Sequence, residues 1–218
     1  MSTVNHTCSA LLFDMDGTLI DSAAAIEQAW KVWADNAGVT MQAPSTYHGR
    51  TARSFLPELV SADRLEAELQ ALALLEENPQ TEIPLIAGAK QILEAIPADR
   101  WAIVTSSVQS VALARLSAAQ ILTPAVFITG GDVAKGKPAP HCYELGASCL
   151  GVAPADCVAF EDSLAGVQSA QAAGCFCIAV EGTADRSELA RHADIVVPTL
   201  ESVQVSYQDG QLHLQIHL

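Results

Sequence analysis

"ALLFDMDGTLI", residues 10–20, carries an apolar run into two carboxylates, Asp14 and Asp16, and then into a glycine. Two like charges that close raise each other's pKa and cost energy unless a cation sits between them. Asp and Gly are also ordinary turn residues, so a strand ending in an acidic turn is the plain reading. The alternative is a magnesium site with a nucleophile. An EF-hand loop opening at Asp14 would need an oxygen ligand at its fifth position, Gly at its sixth and Glu at its twelfth. The chain has Thr18, Leu19 and Ala25 there; the Thr18 hydroxyl could serve, but the other two cannot. A GxxxxGK[ST] phosphate loop is absent as well.

Further along, short apolar runs recur at Ala10–Phe13, Trp101–Val104, Ala125–Ile128, Cys157–Phe160, Phe176–Val180 and Ile195–Val197. Most are separated by segments of helical period, such as Val111, Ala114, Leu116 and Ala118, or Tyr143, Leu145, Ala147 and Leu150. Continuous apolar strands alternating with helices predict βαβ units around a parallel, Rossmann-like sheet. Gly174, after the helical stretch 164–173, reads as a C-terminal cap. In such a sheet ligands bind beyond the C-terminal ends of the strands, where Asp14 and Asp16 fall.

Residues 20–85 break the rhythm, because their patterns are helical only. Ile26, Ala29, Trp30, Trp33 and Ala37 share one face, as do Leu65, Leu69, Leu72 and Leu75, with prolines between. The expected organisation is an α/β core of residues 1–19 and 86–218 with an all-helical cap, 20–85, inserted after the first strand. Both crossings into the cap then lie close to Asp16. The tail "VQVSYQDGQLHLQIHL" alternates on either side of Asp209-Gly210 and predicts a C-terminal β-hairpin with a primed two-residue turn. His213 and His217 share its polar face with Gln211 and Gln215, a solvated face rather than a metal site.

Composition narrows the function classes. At 218 residues with half of them hydrophobic, one domain with an insertion can bury a sizeable core. The net charge of −14 argues against nucleic acid or an anionic membrane as partner. No apolar stretch approaches the ~20 residues of a membrane span, and residues 1–9 lack the pattern of a signal peptide. The six cysteines show no CxxC spacing and are expected as buried small hydrophobes, with Cys175 and Cys177 on one face of the sheet. A cytoplasmic monomer is expected.

Three further stretches end predicted strands. "AIVTSS" places Thr105 and Ser106 at a strand-to-helix junction, where a hydroxyl and free N–H groups can hold phosphate oxygens. "KGKPAP" offers Lys135 and Lys137, and "AFEDS" offers Glu161 and Asp162. Each alone is an ordinary cap, a solvated lysine or an acidic loop. Together with Asp14 and Asp16 they suffice for a hard divalent cation and a phosphoryl group.

The ordered set "DMDGT", "VTSS", "GKPAP" and "EDSLAG" resembles the haloacid dehalogenase superfamily, in the branch with a helical cap after the first motif. Within that branch it is most similar to the small sugar phosphatases acting on compounds such as 2-deoxyglucose 6-phosphate or glycerol phosphate. "YHGRT" (47–51) resembles their cap loop, and His141 departs from the acid that relatives often carry after "KPAP".

The resemblance implies a magnesium-dependent phosphatase of small sugar or polyol phosphates. Asp14 would be the nucleophile, and Asp16 the acid and then the base. Mg2+ would be held by the Asp14 carboxylate, the Asp16 main-chain carbonyl and Asp162, with Glu161 orienting its neighbours. Thr105 and the Ser106 N–H would bind phosphoryl oxygens, and Lys137 would neutralise charge. His48, Gly49 and Arg50 of the cap loop would meet the leaving group. The presence of Asp16 speaks against dehalogenation, whose leaving halide needs no proton. A phosphomutase of the β-phosphoglucomutase type, or a non-catalytic binding protein on the same fold, are the alternatives. Asp21, Ser22 and Asp185 read as helix caps, and Trp30 and Trp33 as core packing.

Overall fold

A computed structural model describes residues 2–218. In chain order its strands and helices are β1 (Thr3–Cys8), β2 (Ala10–Phe13), α1 (Ala23–Ala37), α2 (Ala52–Phe55), α3 (Leu65–Glu76), α4 (Ala89–Ala95) and β3 (Trp101–Val104). There follow α5 (Gln109–Ala118), β4 (Val126–Ile128), α6 (His141–Cys149), β5 (Cys157–Glu161), α7 (Leu164–Ala173) and β6 (Phe176–Val180). The chain ends with α8 (Arg186–Leu189), β7 (Ile195–Val197), β8 (Val203–Gln208) and β9 (Gln211–His217).

Six parallel strands in the order β4-β3-β2-β5-β6-β7 form the main sheet. The central strands β2 and β5 are buried at every residue, as strands covered by helices on both faces must be. Edge strands β4 and β7 are only partly buried, and β4 starts one residue later than the apolar run suggests. Alternate residues divide between two layers. Leu11, Phe13, Ile103, Phe160 and Ile178 pack with α4 and α5, whereas Leu12, Val104, Ala159 and Cys177 pack with α6 and α7. Phe13 stacks on Phe160 across the register pair that joins β2 to β5, with ring centroids 4.8 Å apart.

The hairpin forms around Asp209 and Gly210, whose φ angles of 51° and 81° fit a primed turn. Leu212, Leu214 and Ile216 face the core, while Gln211, His213 and Gln215 are exposed. The polar leader, not recognised as a strand from sequence, is β1, which pairs antiparallel with β9 and completes a three-stranded sheet. Its alternation is weak to the eye because only Val4, His6 and Cys8 turn inward, and one of these is a histidine stacked on Phe176.

Between β2 and α4 the chain is helical and has its own apolar cluster of Ile26, Trp30, Trp33, Tyr47, Phe55 and Leu72. Its two ends meet where Ile20 bridges Leu85, and Ile20 in turn bridges Asp16. Gly174 caps α7 with a φ of 90°, and Cys175 and Cys177 lie in one layer. Two expectations need correction. Cys149 is exposed, because the last residue of α6 faces away from the sheet; the other five cysteines are buried and all six are free. Ser22 and Asp185 occupy N-cap positions but make no side-chain cap bonds, and the Ser22 hydroxyl turns elsewhere. Among the described residues no helix is long and apolar enough to cross a membrane.

Candidate active site

Asp14 follows β2 directly, and its N–H donates to the Phe160 carbonyl on β5 at 2.9 Å, which fixes the carboxylate over the strand ends. Lys137 reaches it from the loop before α6. The ammonium donates to Asp14 Oδ1 at 2.5 Å, Glu161 Oε1 at 2.5 Å and the Val104 carbonyl at 3.0 Å, so all three of its hydrogens are placed. Burial alone would lower the Lys137 pKa, but the charges of Asp14 and Glu161 outweigh it and raise the pKa.

Glu161 ends β5. Its Oε1 also accepts from Tyr143 Oη at 2.7 Å, and its Oε2 from the Ser163 hydroxyl at 3.2 Å and the Asp162 N–H at 3.2 Å. Both oxygens are thus engaged within the protein, which suits an orienting role. Among the described residues the Asp162 carboxylate accepts only from hydroxyls, those of Thr18 and Thr183. Burial, then the charges of Asp14 and Glu161, push its pKa well above the carboxylate range. Gly17 lies against it with a φ of 85°, and a Cβ there would come 2.0 Å from Asp162 Oδ2. The glycine of "DMDGT" is therefore required twice, by conformation and by space.

Asp14, Glu161 and Asp162 each offer an oxygen within 4.8 Å of the others, and all are buried. Three carboxylates facing one ammonium leave excess negative charge among buried groups. Oxygen-only donors with that imbalance fit a hard divalent cation such as Mg2+. The Asp16 side chain lies outside this group, so its expected metal contact is its main-chain carbonyl alone.

The Asp16 carboxylate is turned the other way. Oδ1 accepts from the Ser22 hydroxyl at 2.6 Å, while Oδ2 accepts from the Ser107 hydroxyl at 3.1 Å and Arg115 Nη1 at 2.9 Å. Arg115 Nη2 donates to Glu76 Oε1 at 3.1 Å, and Trp30 Nε1 donates to the same oxygen at 3.2 Å. Burial raises the Glu76 pKa against the opposing charge of Arg115.

Above Asp14 and Asp16 lies a cavity of about 300 Å3. Thr105 and Ser106 form part of its floor, and Trp30, Tyr47, Phe55 and Leu69 form apolar walls. His48, Gly49 and Arg50 line it too. The Ser106 hydroxyl donates to the Gly49 carbonyl at 2.7 Å, leaving the N–H as its means of holding an anion. Gly49 adopts a φ of 77°, and a Cβ would lie 2.1 Å from Ser163 Oγ, so the loop could not dock here with a side chain. His48 lies beside Trp30, within 3.4 Å of Glu27, and burial lowers its pKa. Arg50 Nη2 donates to Glu58 at 2.5 Å and the Ser54 carbonyl at 2.9 Å, within the helical segment itself. Trp33 is packing, as expected; Trp30 is both packing and cavity wall.

A family model of haloacid dehalogenase-like hydrolases matches residues 8–174, the span from the end of β1 through α7. The chain belongs to this family. It is 41% identical to hexitol phosphatase A of Escherichia coli over 95% of this chain and 99% of that protein. It is 31% identical to glycerol-1-phosphate phosphohydrolase 2 of Saccharomyces cerevisiae over 90% and 84%. The crystal structure of a hydrolase from Pseudomonas syringae superposes with a TM-score of 0.79 at 24% identity, over 86% of this chain and 92% of that one, which shows a shared fold.

For this haloacid dehalogenase-like hydrolase, the motifs named from sequence account for Asp14, Lys137, Glu161 and Asp162. Arg115, Ser107, Glu76, Tyr143 and Thr183 were not singled out. For Arg115 a signal existed: it continues the buried face of Val111, Ala112 and Leu116, where an arginine demands partners. Ser107 extends "VTSS" by position. Glu76 and Thr183 carry no local mark.

Proposed function

We propose that the chain is a magnesium-dependent phosphatase of small polyol or sugar phosphates that works through an aspartyl phosphate. The observation that carries this reading is the buried Asp14, paired with Lys137 at 2.5 Å and facing a cavity, with Asp16 beside it. Asp14 attacks phosphorus, and the bond from phosphorus to the polyol oxygen breaks. The departing oxygen takes a proton from Asp16. Water then attacks the phosphoryl group on Asp14, gives its proton to Asp16 and releases phosphate, which restores both carboxyl groups.

Thr105 and the Ser106 N–H hold phosphoryl oxygens, and Lys137 offsets the charge that gathers around Asp14. Asp14, Asp162 and the Asp16 carbonyl would hold Mg2+, which would supply charge neutralisation for the transferring group. The helices of residues 20–85 act as a lid that closes over the leaving group and excludes water. A cavity of about 300 Å3 stands at the small end of ligand pockets and favours a compact substrate. The relatives named for hexitol and glycerol phosphates support the polyol class. Six free thiols suit a reducing cytoplasm.

A panel of hexitol, glycerol and hexose phosphates, assayed with Mg2+ for free phosphate and for isomerised sugar phosphate, tests the reading. Phosphate release abolished by EDTA is expected. Isomer without free phosphate would make the chain a mutase, and no turnover on any member would make it a binding protein.

A further inference from the structure

Arg115 is 2% exposed and carries a full charge on a core helix. A buried guanidinium is costly unless it is paired and hydrogen-bonded. Here both terminal nitrogens are used, and they serve different parts of the chain. Nη1 meets Asp16 and the Ser107 hydroxyl beside the strand ends, and Nη2 meets Glu76 in the last turn of α3. Glu76 is in turn held by Trp30 of α1, so the indole N–H and Arg115 Nη2 converge on one Glu76 oxygen.

We infer that Arg115 is the positioning residue for Asp16, and that its bond to Glu76 makes this positioning depend on the docked helical segment. The inference rests on the phosphatase reading and on Asp16 as its acid. Ser22 on Oδ1, with Ser107 and Arg115 on Oδ2, leaves the Asp16 carboxyl no freedom to rotate. Of these donors only Arg115 also touches a residue of α3. If the helical segment moves away, Glu76 leaves with it, and the planar fork loses one of the two acids that orient it. A lysine is a poor replacement here, since its single nitrogen lacks the fixed separation of the two terminal nitrogens by which Arg115 reaches Asp16 and Glu76 at once. The device acts on the leaving group, because only a poor leaving oxygen needs the proton that Asp16 supplies.

The test uses Arg115→Lys, Glu76→Gln and the double variant, each checked by thermal melting. Phosphate release is measured with sorbitol 6-phosphate and with p-nitrophenyl phosphate, whose phenolate leaves unaided. Arg115→Lys should lower kcat on sorbitol 6-phosphate by ~30-fold, short of the ~10²-fold or more expected for losing the acid itself, and by at least ten times less on p-nitrophenyl phosphate. Glu76→Gln should shift the same ratio by ~5-fold, and the double variant should match Arg115→Lys, since one bridge cannot be broken twice. Equal losses on both substrates, or losses that multiply in the double variant, overturn the inference. Should Arg115→Lys fail to fold, Glu76→Gln decides alone: it keeps the guanidinium on Asp16, and an unchanged substrate ratio overturns the coupling. Wild-type turnover with uniform losses in the variants sinks only this assignment. No wild-type turnover on either substrate sinks the phosphatase reading and this inference with it.

Discussion

On the sheet side of the cavity, Asp14, Lys137, Glu161 and Asp162 are buried charges at the ends of β2 and β5 and in the loop before α6, and they interact with one another. On the helical side the walls are Trp30, Tyr47, Phe55 and Leu69, and the arginines Arg50 and Arg53 are paired with Glu58 and Glu66 of their own segment. In the proposed reaction the first arrangement stabilises a charge distribution, whatever the phosphate is attached to. The second shapes a space and contributes little fixed charge to it. Variants on the sheet side should therefore fail on every substrate, and variants on the helical side should fail selectively.

The largest effect is expected at Asp14. Asp14→Asn keeps the shape and the Lys137 contact but removes the attacking charge, and should lower kcat by ~10³-fold or more on all substrates, as losses of covalent nucleophiles do. More than a tenth of wild-type activity on p-nitrophenyl phosphate would break the comparison at its centre.

Asp162 comes next. Asp162→Asn should cut activity by ~10²-fold at a fixed Mg2+ concentration and raise the Mg2+ needed for half-maximal rate, since it removes a proposed charged ligand. The same substitution should stabilise the metal-free protein. Asp162 has its pKa raised by burial and by Asp14 and Glu161, so its ionised form opposes folding at neutral pH. Removing that charge should raise Tm by about 2–4 °C, the shift that ~1 kcal/mol gives in a chain of this size. Added Mg2+ should reverse the order. A Tm unchanged in EDTA would mean that the three acids already share the Lys137 charge adequately.

What could be read from sequence divides along the same line. The sheet-side groups sit in short segments at strand ends, and each segment carries its own mark: an acid pair before Gly17, Lys137 before a proline, the acid pair Glu161 and Asp162 after an apolar run. Local patterning also foretold the parallel strands and the Asp209-Gly210 turn. The helical side depends on contacts between distant residues. Glu76 looks like a solvated acid at a helix end until Trp30 and Arg115 are brought to it. Ser22 looks like a cap until Asp16 is placed beside it. Strand β1 was obscured because a polar leader became regular only on pairing with β9.

Asp16 joins the two sides and should show a divided effect. Asp16→Ala should slow sorbitol 6-phosphate by ~10²-fold, the lower range of acid–base contributions, and p-nitrophenyl phosphate by less than a tenth of that. Equal losses would remove Asp16 as the acid and would place it wholly on the sheet side.

The smallest effect is expected at Arg50. Its neighbourhood in "YHGRT" favours contact with the leaving group, and it does line the cavity. Yet its Nη2 is engaged by Glu58 and the Ser54 carbonyl, so polyol hydroxyls compete with partners already present. The Glu58 carboxylate is half exposed, and such an ion pair contributes about 0–1 kcal/mol, so little stability is lost when it is cut. Arg50→Ala should leave Tm nearly unchanged and lower kcat/KM for sorbitol 6-phosphate by ~3- to 10-fold, up to ~1.4 kcal/mol of transition-state binding. Acetyl phosphate, which offers no polyol, should be hydrolysed as before. An equal fall on acetyl phosphate would move Arg50 to the phosphoryl group and make it the one cation that the helical side contributes to the chemistry. No fall on either substrate would confine it to bracing the loop through Glu58. In that case recognition of the leaving group would rest on the aromatic walls and on His48, whose pKa is lowered by burial and whose ring is therefore neutral at pH 7.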